Sequence, residues 1–208
     1  MTDTSIEAAC RRFTPAAAAL ALAGSAIAAR RGVHSWEVSV FRAINRMPDG
    51  IAHAMWVPMQ AGARGAPLGL AAFQAIRGHR AKAARTAVTG FAAWAIAKGA
   101  KRAIARERPS AVVEETRRRV GAADHGLGYP SGHAAVAITV ACGIAAGSDP
   151  RVGAAGAGLA ALVGVTRIYS GAHLPLDVIG GWALGRLTVA AYRAVETRSA
   201  RGLSLIHI

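Results

Sequence analysis

The sequence predicts an all-α protein, an integral membrane helical bundle of about six transmembrane helices with an interfacial helix after the first. Three observations point there. Hydrophobic residues make up 53% of the 208-residue chain and aromatics only 5%, and the mean hydropathy of +0.31 is high for a soluble protein. The apolar mass is mostly Ala, with Gly and Val, gathered into the charge-free runs Phe13–Ala29, Gly65–Ile76, Thr86–Ala97, Ala134–Ser148 and Val152–Thr166. A sixth run, Leu174–Tyr192, is interrupted by Asp177 and Arg186. Basic residues fall between the runs, at Arg11-Arg12, Arg30-Arg31, Arg77/Arg80/Lys82/Arg85, Arg117-Arg118-Arg119 and Arg193/Arg198/Arg201. That is the layout of membrane flanks facing anionic lipid. Each run is shorter than the ~20 apolar residues that span a bilayer. Hydropathy alone therefore also fits a soluble Ala-rich bundle.

The elements follow in order. A short basic lead precedes a first helix at Thr14–Ala29, with Pro15 acceptable in its first turn. In Ser35–Met47, apolar Trp36, Val40, Phe41 and Ile44 recur at helical spacing with Glu37, Arg42 and Arg46 between them, which predicts an amphipathic helix in the interface. Pro48-Asp49-Gly50 ends it. The second spanning helix, Ile51–Ile76, is interrupted by Pro58, Arg64 and Pro67. A third covers Lys82–Lys101. The polar segment Arg102–Tyr129 is long for a connection in a compact domain, which marks it as functional. Ser131 is a good N-cap for helix four. Helix five, Arg151–Arg167, carries Gly153, Ala157 and Ala161 at intervals of four, a spacing that lets membrane helices approach closely. Pro175 opens helix six, which contains Gly181-x3-Gly185. No repeat or linker argues for a second domain.

A net charge of +14 and an isoelectric point near 11.5 would suit a nucleic-acid binder. The scatter of the basic residues between apolar runs, without interleaved aromatics, argues against nucleic acid as a partner. Cys10 and Cys142 imply no disulfide framework, and Cys142 reads as a small core residue. Phe13–Ala29 reads as an anchoring helix as readily as a cleavable leader. His34, His53 and His79 have no partner pattern.

Three clusters carry the chemistry. Lys101 is followed by six residues and then Arg108-Pro109. Pro130-Ser131-Gly132-His133 opens a helix, so its N–H groups and dipole suit an anion, and Gly132 lets backbone approach it. Arg167 is followed by five residues to His173, then three to Asp177. Guanidinium forks pair with phosphate oxygens and Lys adds a point charge. A neutral imidazole attacks phosphorus, a protonated one discharges the leaving oxygen, and a carboxylate orients the attacker. Asp177, one turn past His173, is placed to hold one imidazole nitrogen and leave the other free. Arg102, Arg106 and Glu107 lie off these positions and read as solvated or lipid-facing. Asp124 and His125, just before the Pro-Ser-Gly-His turn, are further substrate-contact candidates.

In order and spacing the three clusters resemble the type 2 phosphatidic acid phosphatase (PAP2) superfamily, whose signature is K-x6-RP, PSGH and SR-x5-H-x3-D. One position departs, Thr166 standing where the signature has Ser. The resemblance covers residues 98–190 and implies a single PAP2-like membrane phosphatase domain over 1–202. It implies that His173, His133 and Asp177 are catalytic and that Lys101, Arg108, Ser131, Gly132 and Arg167 bind the substrate phosphate. It also implies a two-step reaction without metal or cofactor. His173 attacks phosphorus while His133 protonates the leaving group, and water activated by His133 then releases phosphate. The substrate would be a lipid phosphate or diphosphate, namely phosphatidate, phosphatidylglycerol phosphate or a polyprenyl diphosphate. The Ala/Arg/Gly-rich composition is that of a GC-rich bacterial genome, which makes a polyprenyl substrate plausible.

Two other readings share these residues. A vanadium haloperoxidase has a similar pocket with vanadate in place of phosphate, but those relatives are soluble and larger. A non-catalytic membrane lipid-binding protein on the same fold would show broken motifs, whereas here the polar positions are filled. With the N-terminus inside, six helices place the Arg102–Tyr129 loop and the Arg167–His173 segment outside together, so the active site is expected on the extracytoplasmic face of the cell membrane. Arg30, Arg31, Arg42 and Arg46 oppose that orientation. Leu203–Ile208 matches the translation of a sequencing adapter and is expected to be foreign to the fold.

Overall fold

The computed structural model describes residues 14–123 and 125–206, and among these every regular element is a helix. The basic lead and the last two residues of the 203–208 segment lie outside the described residues.

Helix α1, Pro15–Arg30, starts where Thr14 Oγ1 accepts the Ala17 N–H at 3.1 Å. Helix α2, Ser35–Asn45, leaves α1 at 98°. The expected second span is broken into α3, Ala52–Met59, a 3₁₀ turn Gln60–Gly62, and α4, Ala66–Ile76. Helix α5, Arg80–Ile104, ends at Ala105, whose φ of +54° turns the chain out of the helix. A four-residue helix α6, Pro109–Val112, lies in the long connection. Helix α7 is Gly132–Ala145, capped by Ser131, and α8 is Pro150–Tyr169, capped by Asp149. Helix α9 runs Pro175–Ile206. By length and composition only α8, with a mean hydropathy of 1.4, is apolar enough to cross a membrane as a single helix among the described residues; α1 and α2 pass only as a bent pair.

Helix α7 is the axis of the bundle. It packs against α5, α8 and α9, and ten of its 14 residues are buried. The α9 contact is made backbone to backbone. A Cβ on Gly181 would collide with the Ser131 carbonyl, and one on Gly185 with the Ala135 carbonyl. Only glycine lets the start of α9 lie this close to the start of α7.

Two faces differ from the sequence reading. On α8 the packed residues are Gly153, Gly156, Ala160 and Gly164, whereas Ala157 and Ala161 are exposed. The interval of four exists, but it runs through Gly156 against Ala141 and through Gly164 against Val178 and Trp182. On α2 the inward row is Glu37, Phe41 and Asn45, while Trp36 and Val40 face outward. The polar residues of this amphipathic helix are thus partly its core face, because Asn45 and Glu37 have partners inside the bundle.

The α7–α9 contact predicts the sign of two matched substitutions. Alanine favours a helix over glycine by roughly 1 kcal/mol, so Gly158→Ala, which meets nothing within 4 Å, should hold or raise the thermal unfolding midpoint. Gly185→Ala should lower it, as overpacking of about 1–3 kcal/mol exceeds the propensity gain. Thermal unfolding of the purified protein in detergent checks both.

Candidate active site

The three sequence clusters meet at one end of the bundle. Lys101 lies in the last turn of α5, Arg108 in the connection beyond it, and Ser131 to His133 at the start of α7. Arg167 sits in the last turn of α8, and His173 and Asp177 flank the start of α9. Hydrogen bonds between these segments fix the assembly. The Ser131 N–H donates to the Asp177 carbonyl at 2.8 Å, and Arg108 Nη1 donates to the Ala172 carbonyl at 3.0 Å. Ser131 is the α7 N-cap, its Oγ accepting the Ala134 N–H.

His173 and Asp177 form a buried pair, Nδ1 to Oδ2 at 3.4 Å. This is long for a hydrogen bond, as catalytic contacts often are before substrate tightens them. The same Oδ2 accepts the Leu174 N–H at 3.0 Å, which fixes the carboxylate against the helix start. Nε2 of His173 is the nitrogen turned away from Asp177. Gly128 closes this side, since a Cβ there would stand 2.8 Å from Asp177 Oδ2. Burial pushes the His173 imidazole well below the ordinary histidine range, and Lys101, Arg167, Arg108 and His133 push it further the same way. The three cations and the second imidazole are thus within electrostatic reach of the first. Lys101, Arg108 and Arg167 act on His133 as well.

The connection between α5 and α7 holds the cations by its carbonyls. Lys101 Nζ donates to Leu127 and Gly128, at 2.7 and 2.8 Å, and Arg108 Nε to Gly126. Arg167 Nη1 donates to Gly121 at 2.7 Å, while its Nε is buried without a partner, a donor that an anion would satisfy. The connection is itself pinned by Asn45, which bonds Arg117 and the Tyr169 carbonyl, and by Arg119, which stacks on the Tyr169 ring at 4.1 Å. The broken helix reaches the site too, with Met59 Sδ 2.9 Å from Arg167 Nη1 and Gly62 against the His133 carbonyl. The break between α3 and α4 thus places backbone beside a proposed catalytic histidine.

Two site residues are absent from the sequence reading of function. Arg106, expected to be solvated or lipid-facing, is buried and paired with both Asp177 and Glu37. Glu37, expected on the polar side of an interfacial helix, is fully buried. In a chain with 25 basic and 11 acidic residues, an acidic residue set in an apolar pattern was the available signal, because a buried guanidinium needs a carboxylate. Arg102 and Glu107 are exposed, as expected. Thr166 Oγ1 bonds the Val163 carbonyl of its own helix, so the departure from the signature changes no site contact given by that hydroxyl. His125 is exposed, and Asp124 lies outside the described residues. His34 bonds the Ala28 carbonyl, a structural role. Among the described residues no group of three or more His, Cys, Asp and Glu side chains converges in a metal-binding arrangement.

Compared with known proteins, residues 83–200 match the PAP2 superfamily. The chain belongs to that superfamily. A curated relative, the undecaprenyl-diphosphatase of Sulfolobus acidocaldarius, is 46% identical over 57 residues, which is 27% of this chain and 28% of the relative. The match thus spans under a third of that protein. Two solved structures share the fold. LpxE of Aquifex aeolicus gives a TM-score of 0.69 at 23% identity, covering 76% of this chain and 94% of that one. The transmembrane PAP2 type phosphatidylglycerolphosphate phosphatase of Bacillus subtilis gives 0.72 at 20% identity, covering 89% and 97%. The PAP2 fold therefore extends beyond the signature region to most of the chain.

Proposed function

We propose that this PAP2 protein is an integral membrane phosphatase that hydrolyses a lipid phosphate or diphosphate through a phosphohistidine, without a metal. The hydrogen-bonded assembly of Lys101, Arg108 and Arg167 with the His173–Asp177 pair and the start of α7 at one end of the bundle carries the proposal. The three cations hold the phosphoryl group and neutralise charge on its equatorial oxygens. Gly132 offers its N–H at the α7 start and Ser131 its hydroxyl hydrogen, the Ser131 N–H being engaged by the Asp177 carbonyl. Nε2 of His173 forms a bond to phosphorus as the bond to the leaving oxygen breaks, and that oxygen takes its proton from His133. Water, losing a proton to His133, then attacks the phosphohistidine and frees both inorganic phosphate and His173. Asp177 holds Nδ1 throughout.

The substrate class is a phosphatidate, a phosphatidylglycerol phosphate or a polyprenyl diphosphate. The segment similar to undecaprenyl-diphosphatase supports the last. The chain crosses the cell membrane about six times, as α1, the broken α3–α4, α5, α7, α8 and α9, with α2 in the interface. Short apolar helices are extended by snorkelling Arg and Lys. The catalytic end faces outward from the cytoplasm. The fold shared with the transmembrane phosphatase of Bacillus subtilis supports this arrangement. The catalytic domain is assigned to residues 1–202, of which 1–13 and 124 lie outside the described residues.

The purified protein should release phosphate from at least one lipid in a panel of these three classes, with chelator present, and His173→Ala should abolish release. A wild type inert toward the whole panel contradicts the proposal. In kcat/KM, which reports phosphohistidine formation and not its hydrolysis, His133→Ala should lose roughly 10²–10⁴-fold on lipid substrates, the size of general acid catalysis, and much less on aryl phosphates, whose leaving groups need little protonation. Equal losses on both would remove His133 from the donor role.

The pH dependence of kcat/KM reports the free enzyme. His173 must be unprotonated to attack, and burial with the nearby cations depresses its titration. Activity should therefore persist as pH falls through about 6.5, the ordinary histidine value, and decline only at lower pH. An acid limb, a loss of kcat/KM as pH falls, centred at or above that value would contradict the assignment of His173 as the neutral attacker, whereas a loss as pH rises belongs to the His133 donor.

A further inference from the structure

Glu37 and Arg106 are the buried charged pair that neither the signature nor the proposed reaction uses. Their side chains are 0% and 4% exposed. Arg106 presents its guanidinium as a fork to Glu37, Nη2 to Oε2 at 2.6 Å and Nη1 to Oε1 at 3.1 Å. Nη1 also donates to Asp177 Oδ1 at 3.0 Å, and Nη2 to the Gly32 carbonyl at 3.1 Å. Glu37 Oε1 accepts the Leu176 N–H at 3.1 Å, so the carboxylate also grips the first turn of α9. Asp177 divides its oxygens, Oδ1 toward Arg106 and Oδ2 toward His173 and Leu174. An unbroken line of polar contacts runs from α2 to the imidazole.

We propose that Arg106 and Glu37 are positioning residues for the reaction, Arg106 holding Asp177 charged and oriented against His173 and Glu37 holding Arg106. The inference rests on the phosphatase reading of the site. Both terminal nitrogens of Arg106 are committed to Glu37, Asp177 and Gly32, which separates it from Lys101, Arg108 and Arg167, the cations that face the two histidines. Arg106 therefore acts on the nucleophile and leaves phosphate binding to the others. A carboxylate with no exposure is held ionised only by a partner, and among the described residues Asp177 has the Arg106 guanidinium in direct contact at 3.0 Å. Removing that contact frees the carboxylate to rotate or take a proton, and His173 then loses the acceptor that fixes its Nδ1 hydrogen. Through Glu37, the seating of α2 becomes part of the same device.

The test measures kcat and KM of the full chain in detergent on a soluble aryl phosphate. The variants are Arg106→Gln, Arg106→Lys, Glu37→Gln and the double Glu37→Gln/Arg106→Gln, each with Asp177 intact and with Asp177→Asn. Outer-shell partners of this kind are worth roughly 10–100-fold in activity, and Arg106→Gln should lose that much in kcat with KM within about threefold. Lysine cannot form the fork and should restore only part. In the Asp177→Asn background the Arg106→Gln loss should shrink below about threefold, because coupled residues are non-additive. The same loss in both backgrounds, or a raised KM with kcat unchanged, overturns the proposal. If Arg106→Gln does not fold, Arg106→Lys and Glu37→Gln decide, and a kcat of either variant indistinguishable from wild type with Asp177 intact overturns it. An inactive wild type would instead sink the phosphatase reading and this inference with it, whereas an active wild type with equally active variants sinks the inference alone.

Discussion

Burying like charges next to one another is the constraint around which this molecule is built. Lys101, Arg106, Arg108 and Arg167 come from the ends of α5 and α8 and the connection between α5 and α7, and converge at one end of an apolar bundle. Two carboxylates, Asp177 and Glu37, share one of these cations between them. The other three are held by carbonyl dipoles of the α5–α7 connection at Gly121, Gly126, Leu127 and Gly128, and by the Ala172 carbonyl. The long connection is therefore a row of acceptors around a cationic cluster. Its own attachments, through Asn45 and Arg119, exist to keep those acceptors in place.

The second requirement is proximity of helix starts. The proposed anion site at the start of α7 and the proposed nucleophile at the start of α9 can act together only if the two helices nearly touch. Gly181 and Gly185 supply that, removing side chains where the Ser131 and Ala135 carbonyls stand. The same economy of volume explains the Ala- and Gly-rich composition. Small residues on α7 and α8 let backbones close around a charged end that long side chains would hold apart.

How much of this was legible in the sequence depended on whether a residue's role follows from its own spacing. The motif residues were legible because the PAP2 signature fixes both their types and their intervals, and Lys101, Arg108, His133, Arg167, His173 and Asp177 lie together at one end of the bundle. Helix order was legible from charge-free runs and from caps such as Thr14 and Ser131. Arg106 was not, because it sits between two motif positions at a place the signature leaves open, and only a tertiary contact shows what it does. Glu37 was hidden by an amphipathic pattern in which an acidic residue is normally the wet face. On α8 the small residues offered two rows four apart, and periodicity alone does not say which row meets α7. The break after Met59 was signalled by prolines, but its use, bringing Gly62 against His133, depends on a contact 71 residues away by number.

The central claim is that His173 carries the phosphoryl group between substrate and water. Rapid-quench labelling of the wild-type protein with a substrate bearing labelled phosphorus, followed by alkaline proteolysis and peptide mapping, tests it directly. The account predicts an acid-labile, base-stable label on the peptide that contains His173, appearing before inorganic phosphate and then discharging into it. Label on His133, label on a serine, or phosphate release at full rate with no labelled protein at any quench time would contradict it.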